Sequence, residues 1–147
     1  MSSDQFGKQT RTIPWGTRPN ATQRLSVLFA DASREHSEGL ARALPPGWSW
    51  TVVTMAHSAM NAIHSQIPTV VVSELDLPDA SGLEFVTRLH LTPATRHVLL
   101  MVVTQRSTIS DKIAAFQAGV DDYLVKPVDP SLFSLHVQLL SRLRPTL

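Results

Sequence analysis

Four polar residues stand where apolar runs end, and their types form a set that can do chemistry. Asp31 follows Leu25–Ala30, Glu74 ends the run Val70-Val71-Val72-Ser73, Thr104 closes Val98–Val103, and Lys126 follows Tyr123-Leu124-Val125. Two acids, a hydroxyl and an amine gathered at one edge suit holding a phosphoryl group on a carboxylate, with a divalent cation and a lysine to neutralise it. Glu74 is the centre of the set. Three consecutive valines read as a parallel strand buried on both faces. A carboxylate just past the carboxyl end of such a strand lies where open α/β sheets build their sites.

The elements that must position these residues follow in order. After the first strand a helix is expected from about Arg34 to Leu44, stopped by Pro45-Pro46-Gly47. Trp50, Val52 and Val53 mark a second strand, with a short helix from Ala59 to Ser65. The buried strand at 69–73 leads through a turn containing Pro78 to a helix from Ser81 to about His90, with Ser81 and Glu84 spaced as a capping box. The strand at 98–103 leads to a helix from Ile109 to Ala118. Gly119 suits the left-handed position beyond its end. Asp129-Pro130 supplies a cap and a first-turn proline for a last helix reaching about Leu143. Five strands alternating with five helices predict a doubly wound, five-stranded parallel sheet.

Composition sets the outer limits. A chain of 147 residues suits one domain with a real core. It has no cysteine, which excludes a disulfide framework and thiolate metal sites. No apolar run approaches membrane-spanning length, and residues 1–24 lack the apolar stretch of a signal peptide, so a cytoplasmic protein without a membrane partner is expected. In residues 1–24, Lys8, Arg11, Arg18 and Arg24 face one acid, Asp4, a net of +3 that leaves −2 for the remainder of a chain whose total is +1. That segment, with Trp15 as its single large anchor, reads as a flexible basic tail ahead of a domain at 25–147. The six histidines (36, 57, 64, 90, 97 and 136) show no ligand spacing and read as solvated or helix-surface residues.

With these residues in place the chain resembles the receiver domain of bacterial response regulators, the CheY-like family, over about residues 25–143. Pro78 lies four residues and Gly82 eight residues after Glu74, the family's spacing from its phospho-accepting aspartate. Asp121-Asp122-Tyr123-Leu124-Val125-Lys126-Pro127 is similar to the family's last strand and its lysine–proline pair, a peptide bond typically cis in the family. The resemblance implies a flavodoxin-like fold, with Thr104 as switch hydroxyl, Tyr123 as switch aromatic and Lys126 as the phosphate lysine. Alone, Thr104 would read as a strand-end hydroxyl and Tyr123 as a packed edge aromatic.

Two departures weigh against the family's chemistry. The first strand ends on Asp31-Ala32, where the family has two acids, the second of them a direct magnesium ligand. The acceptor position holds Glu74, whose extra methylene moves the carboxylate outward by about 1.3 Å for a C–C bond of about 1.5 Å. A misplacement of about 1 Å can cost on the order of 100-fold in such a transfer. Magnesium also demands near-ideal octahedral geometry. Weak or absent metal binding is therefore expected at Asp31, Glu74 and Asp76, and no cofactor or enzymatic activity. Asp76 as acceptor in a shifted register fails on spacing, two residues from Pro78 and six from Gly82.

The favoured reading is a stand-alone atypical receiver, a phosphorylation-independent interaction module in two-component-type signalling. In it Glu74 carries a permanent charge of about −1, less than a phosphoryl group's roughly −1.5 to −2. The alternatives are a working phospho-receiver fed by a histidine kinase with Mg2+, and, less favoured, a nucleic-acid-associated protein using the basic tail. A purely structural Lys126–Glu74 ion pair is a further reading. With the fifth helix so near Leu147, no room is expected for a DNA-binding output domain. The partner is then a separate signalling protein or kinase, or a second copy through the last strand and last helix. In that helix Phe133, Val137 and Leu140 should turn inward, leaving Leu132, Leu135, Leu139 and Leu143 as an apolar stripe beside Tyr123.

Overall fold

The computed structural model describes residues 25–142; the basic tail and Leu143 lie outside them. Among these residues the strands β1 (Ser26–Ala30), β2 (Ser49–Val53), β3 (Val70–Ser73), β4 (Leu99–Thr104) and β5 (Asp122–Val125) alternate with helices α1 (Arg34–Ala41), α2 (Ala56–Ser65), α3 (Gly82–Leu91), α4 (Ile109–Gln117) and α5 (Pro130–Arg142). The strands form one parallel sheet in the order β2-β1-β3-β4-β5. The chain runs outward from β1 to β2 and then crosses back to β3 on the other side. The order therefore reverses between β1 and β3, where doubly wound sheets open a crevice. Asp31 and Glu74 leave the sheet on either side of that point.

The apolar runs of β3 and β4 are buried along their whole length because helices cover both faces of the sheet. Val27, Phe29, Val70, Val72, Met101 and Val103 face α1 and α5, where Phe29 meets Phe133 with ring centroids 5.7 Å apart. Leu28, Ala30, Val71, Leu100 and Val102 face α2, α3 and α4. On α5 the fully buried side chains are Phe133 and Val137, with Leu140 nearly so. Burying a side chain of that kind stabilises by about 1.5–3 kcal/mol, enough for three of them to fix which face of α5 turns inward. Leu132, Leu135 and Leu139 are consequently left 46%, 50% and 46% exposed.

Local signals place most helix ends. Gly119 adopts φ 110° after α4, and Thr108 caps that helix by accepting the Asp111 amide at 3.1 Å. The Ser81 hydroxyl caps α3 through the Leu83 amide at 3.2 Å, one residue earlier than the amide of Glu84 that a capping box would use. Two ends differ from the sequence reading. Helix α1 stops at Ala41, and Ala43 and Leu44 continue it as a tightened turn with bonds to Leu40 and Ala41, because Pro45 disfavours helical backbone at the residue before it. Helix α2 begins at Ala56, three residues earlier than its apolar pattern indicates. Its first amides, Ala56 and His57, donate to the Asp79 carboxylate at 2.8 and 3.0 Å. The cap comes from another loop, so the sequence near Ala56 carries no sign of it.

Those bonds hold the Asp79 carboxyl below the ordinary carboxylate range, the His57 amide contributing most and the Ala56 amide next. A depressed value means that the stabilisation is present above the unfolded carboxylate pKa and is lost as pH falls through the lower, folded value. Asp79→Ala is expected to leave the Ala56 and His57 amides unprotected in hydrogen exchange near neutral pH and to lower the urea midpoint. Wild type and variant should converge in acid.

Candidate functional site

The strand ends converge as their types require. Asp31 and Glu74 are 7% and 8% exposed, and the ammonium of Lys126 lies between them, 2.8 Å from Asp31 Oδ2 and 3.0 Å from Glu74 Oε1. The second oxygen of each acid is taken by backbone. Asp31 Oδ1 accepts the Ser33 amide at 2.8 Å, and Glu74 Oε2 accepts the amides of Leu75 at 2.6 Å and Asp76 at 3.3 Å. The longer glutamate side chain thus folds back over its own loop. Gly82 closes that loop: its amide donates to the Leu75 carbonyl at 2.8 Å, and a Cβ there would collide with the Glu74 carbonyl. The eight-residue spacing is a close-approach requirement. The Lys126-Pro127 peptide bond is cis.

Burial alone would lower the Lys126 pKa, but the hydrogen bonds it donates to Asp31 and Glu74, together with their charges, outweigh it and raise the ammonium above its ordinary value. His36 of α1 leans over the same pocket with its Nδ1 3.9 Å from Asp31 Oδ2 and without a hydrogen-bond partner. Burial, and then the nearby Lys126 charge, lower its pKa against the opposing pull of Asp31 and Glu74. It stands at a charged pocket, and the helix-surface role expected for it does not hold.

Asp76 does not join the pocket. Its carboxylate is 61% exposed and is held bidentately by Arg106, Oδ1 to Nη2 at 2.6 Å and Oδ2 to Nε at 3.0 Å. Arg106 keeps the Asp76 carboxyl below its usual range. Arg106 carries further bonds: its amide donates to Thr104 Oγ1 at 3.3 Å, and its carbonyl accepts the Tyr123 hydroxyl at 2.7 Å. Thr104 is buried at the end of β4. Sequence reasoning missed Arg106, although its place two residues past a strand-end hydroxyl could have flagged it. The Tyr123 ring packs towards Phe116 of α4, centroids 6.4 Å apart, on the opposite sheet face from the α5 leucines it was expected to join.

A family profile described as response regulator receiver domain matches residues 27–138. The chain belongs to the response regulator receiver family. The transcriptional regulatory protein BasR of Escherichia coli (strain K12) is 39% identical over 121 residues, which span 82% of this chain and 53% of that protein. The response regulator MprA of Mycolicibacterium vanbaalenii is 34% identical over 122 residues, 82% of this chain and 49% of that protein. The receiver chain spans about half the length of these curated relatives. The chemotaxis response regulator CheY4 of Vibrio cholerae has the same fold, with a TM-score of 0.75 at 19% identity over 80% of this chain and 99% of that one.

Receivers of this family imply a divalent cation, and the donor set here does not fit one. All six carboxylate oxygens of Asp31, Glu74 and Asp76 already have partners: Lys126, Arg106 or backbone amides. Ala32 supplies no replacement, and among the described residues no group of three acids or histidines is arranged to hold a metal. Among the described residues, too, no helix is long and apolar enough to cross a membrane.

Lys126→Ala in this receiver should leave Asp31 and Glu74 repelling each other. The expected loss is about 3 kcal/mol, the low end for breaking a largely buried pair, because the rim of the cluster meets solvent. A raised lysine contributes fully below the unfolded pKa of about 10.4, and its contribution is lost as pH rises through the higher folded value. Urea melts should therefore separate wild type from variant at neutral pH, with the gap closing in strong alkali.

Proposed function

We propose that this receiver acts as a phosphorylation-independent protein-interaction module in two-component signalling. The observation that carries this reading is the Lys126 ammonium bonded at once to Asp31 and Glu74. An acceptor carboxylate must present a free oxygen to a phosphorus atom in line with its leaving group, and both oxygens of Glu74 are committed. The lysine that would neutralise an incoming phosphoryl group is already neutralising the acids. The pocket then carries a fixed charge pattern in place of one that a kinase adds and removes. Incubation with a small-molecule phosphodonor and magnesium, read by intact mass, should show no phosphoryl group gained. A gain abolished by Glu74→Gln would overturn the reading in favour of a working phospho-receiver.

Two helices, one on each face of the sheet, present exposed apolar side chains. Ile109, Ile113 and Phe116 of α4 are 74%, 51% and 49% exposed, and Leu132, Leu135 and Leu139 of α5 are about half exposed. Between Ser131 and Ser141 helix α5 has no Lys, Arg, Asp or Glu, so a charge-paired association through it is poorly supported, whereas apolar stripes of this kind mark interfaces. The occupant we favour is a second copy of the chain. Leu135→Glu combined with Leu139→Glu should leave the circular dichroism spectrum and melting temperature intact while abolishing concentration-dependent association in sedimentation. Unchanged association would place the docking surface elsewhere.

A further inference from the structure

The two cations of the site each bridge two acids. Lys126 joins Asp31 to Glu74 in the buried pocket. Arg106 joins Asp76 in the loop after β3 to Asp111 in the first turn of α4, with Nη1 3.6 Å from Asp111 Oδ1. Asp111 is steadied in turn by the Thr108 hydroxyl at 2.8 Å. Asp76, Arg106 and Asp111 rim a groove of about 690 Å³ that opens between the loop after β3 and α4, with Ala32 also in its lining. A guanidinium fork fixes direction as well as distance, since both of its N–H groups must meet the carboxylate in one plane. The Arg106 side chain is half exposed, so its pairing contributes more to the position of the loop than to global stability.

Position matters here because of what the Arg106 backbone does. Its amide is bonded to the buried Thr104 hydroxyl and its carbonyl receives the Tyr123 hydroxyl. The fork to Asp76 therefore anchors the same residue whose backbone is bonded to Thr104 and Tyr123. We propose that Arg106 is an internal cationic latch, replacing an exchangeable ion at the rim of the pocket and fixing Tyr123 and the α4–β5 surface in one arrangement. The inference rests on the pocket working without phosphoryl transfer, and it adds the element that sets the surface in that case.

The chain has a single tyrosine, so ring labelling reports on Tyr123 alone. In the full chain, without phosphodonor, Arg106→Gln and Asp76→Asn should each shift and broaden the Tyr123 ring resonances. The double variant should go no further than either single one, and Arg106→Lys should restore the signal only in part, because a point charge lacks the fork. Millimolar MgCl2 should leave the wild-type Tyr123 resonances unmoved. Unchanged ring signals in both single variants, or wild-type signals that move with magnesium, would overturn the latch. Asp76 and Arg106 are both exposed, so both variants should fold; should one fail, the other decides. Phosphorylation in the mass assay would sink the proposed function yet leave this comparison readable.

Discussion

The structure depends on one constraint at the centre of its sheet: two buried carboxylates sit side by side where the strand order reverses, and they are tolerable there only with an ammonium between them. Charges removed from water must be paired and hydrogen-bonded, or the fold loses more than the site gains. Lys126 meets that condition from the far side of β4, bonding to acids just past the ends of β1 and β3. Three strand ends are thereby fixed against one another. The backbone amides of Ser33, Leu75 and Asp76 take the remaining lone pairs, so the loops after β1 and β3 are shaped by the same charges.

What the sequence made legible divides along physical lines. The strands were readable because burial on both faces demands unbroken apolar runs such as Val70–Val72 and Leu99–Val103. The inward face of α5 was readable because Phe133, Val137 and Leu140 recur at helical spacing. Glu74, Pro78 and Gly82 were readable as a group only through the resemblance to the receiver family, and the close backbone approach at Gly82 gives the physical reason for its place in that spacing. The misses share another cause. Asp79 capping α2, Arg106 turning Asp76 away from the acids, and His36 leaning over Asp31 are pairings between loops or elements distant in sequence. A side chain that can turn either way carries no period and no local partner, so only the assembled fold reveals its choice.

The surface shows a division of labour between the two exposed helices. Helix α4 is tied to the site through Asp111 and through Tyr123 beside Phe116, whereas α5 meets the sheet through its own apolar face and through His136, whose Nδ1 lies 2.8 Å from Asp122 on β5. Contacts run without a break from the rim of the pocket to α4 through Arg106 and Tyr123.

The way Glu74 folds back over its own loop ties both of its oxygens to fixed partners. An aspartate at that position is one methylene shorter. It could keep its bond to Lys126 or its bonds to the Leu75 and Asp76 amides, and the geometry that now serves both would be lost. A free acceptor oxygen would still face Ala32, which offers no ligand, and Asp76 would still be engaged by Arg106. On the reading proposed above, building a metal-assisted acceptor here means changing Glu74 and Ala32 together, with the intermediates holding an incompletely neutralised buried acid. In a mutational landscape this pocket is a basin with steep walls, and single-substitution libraries seeded from this sequence will find few ways out of it.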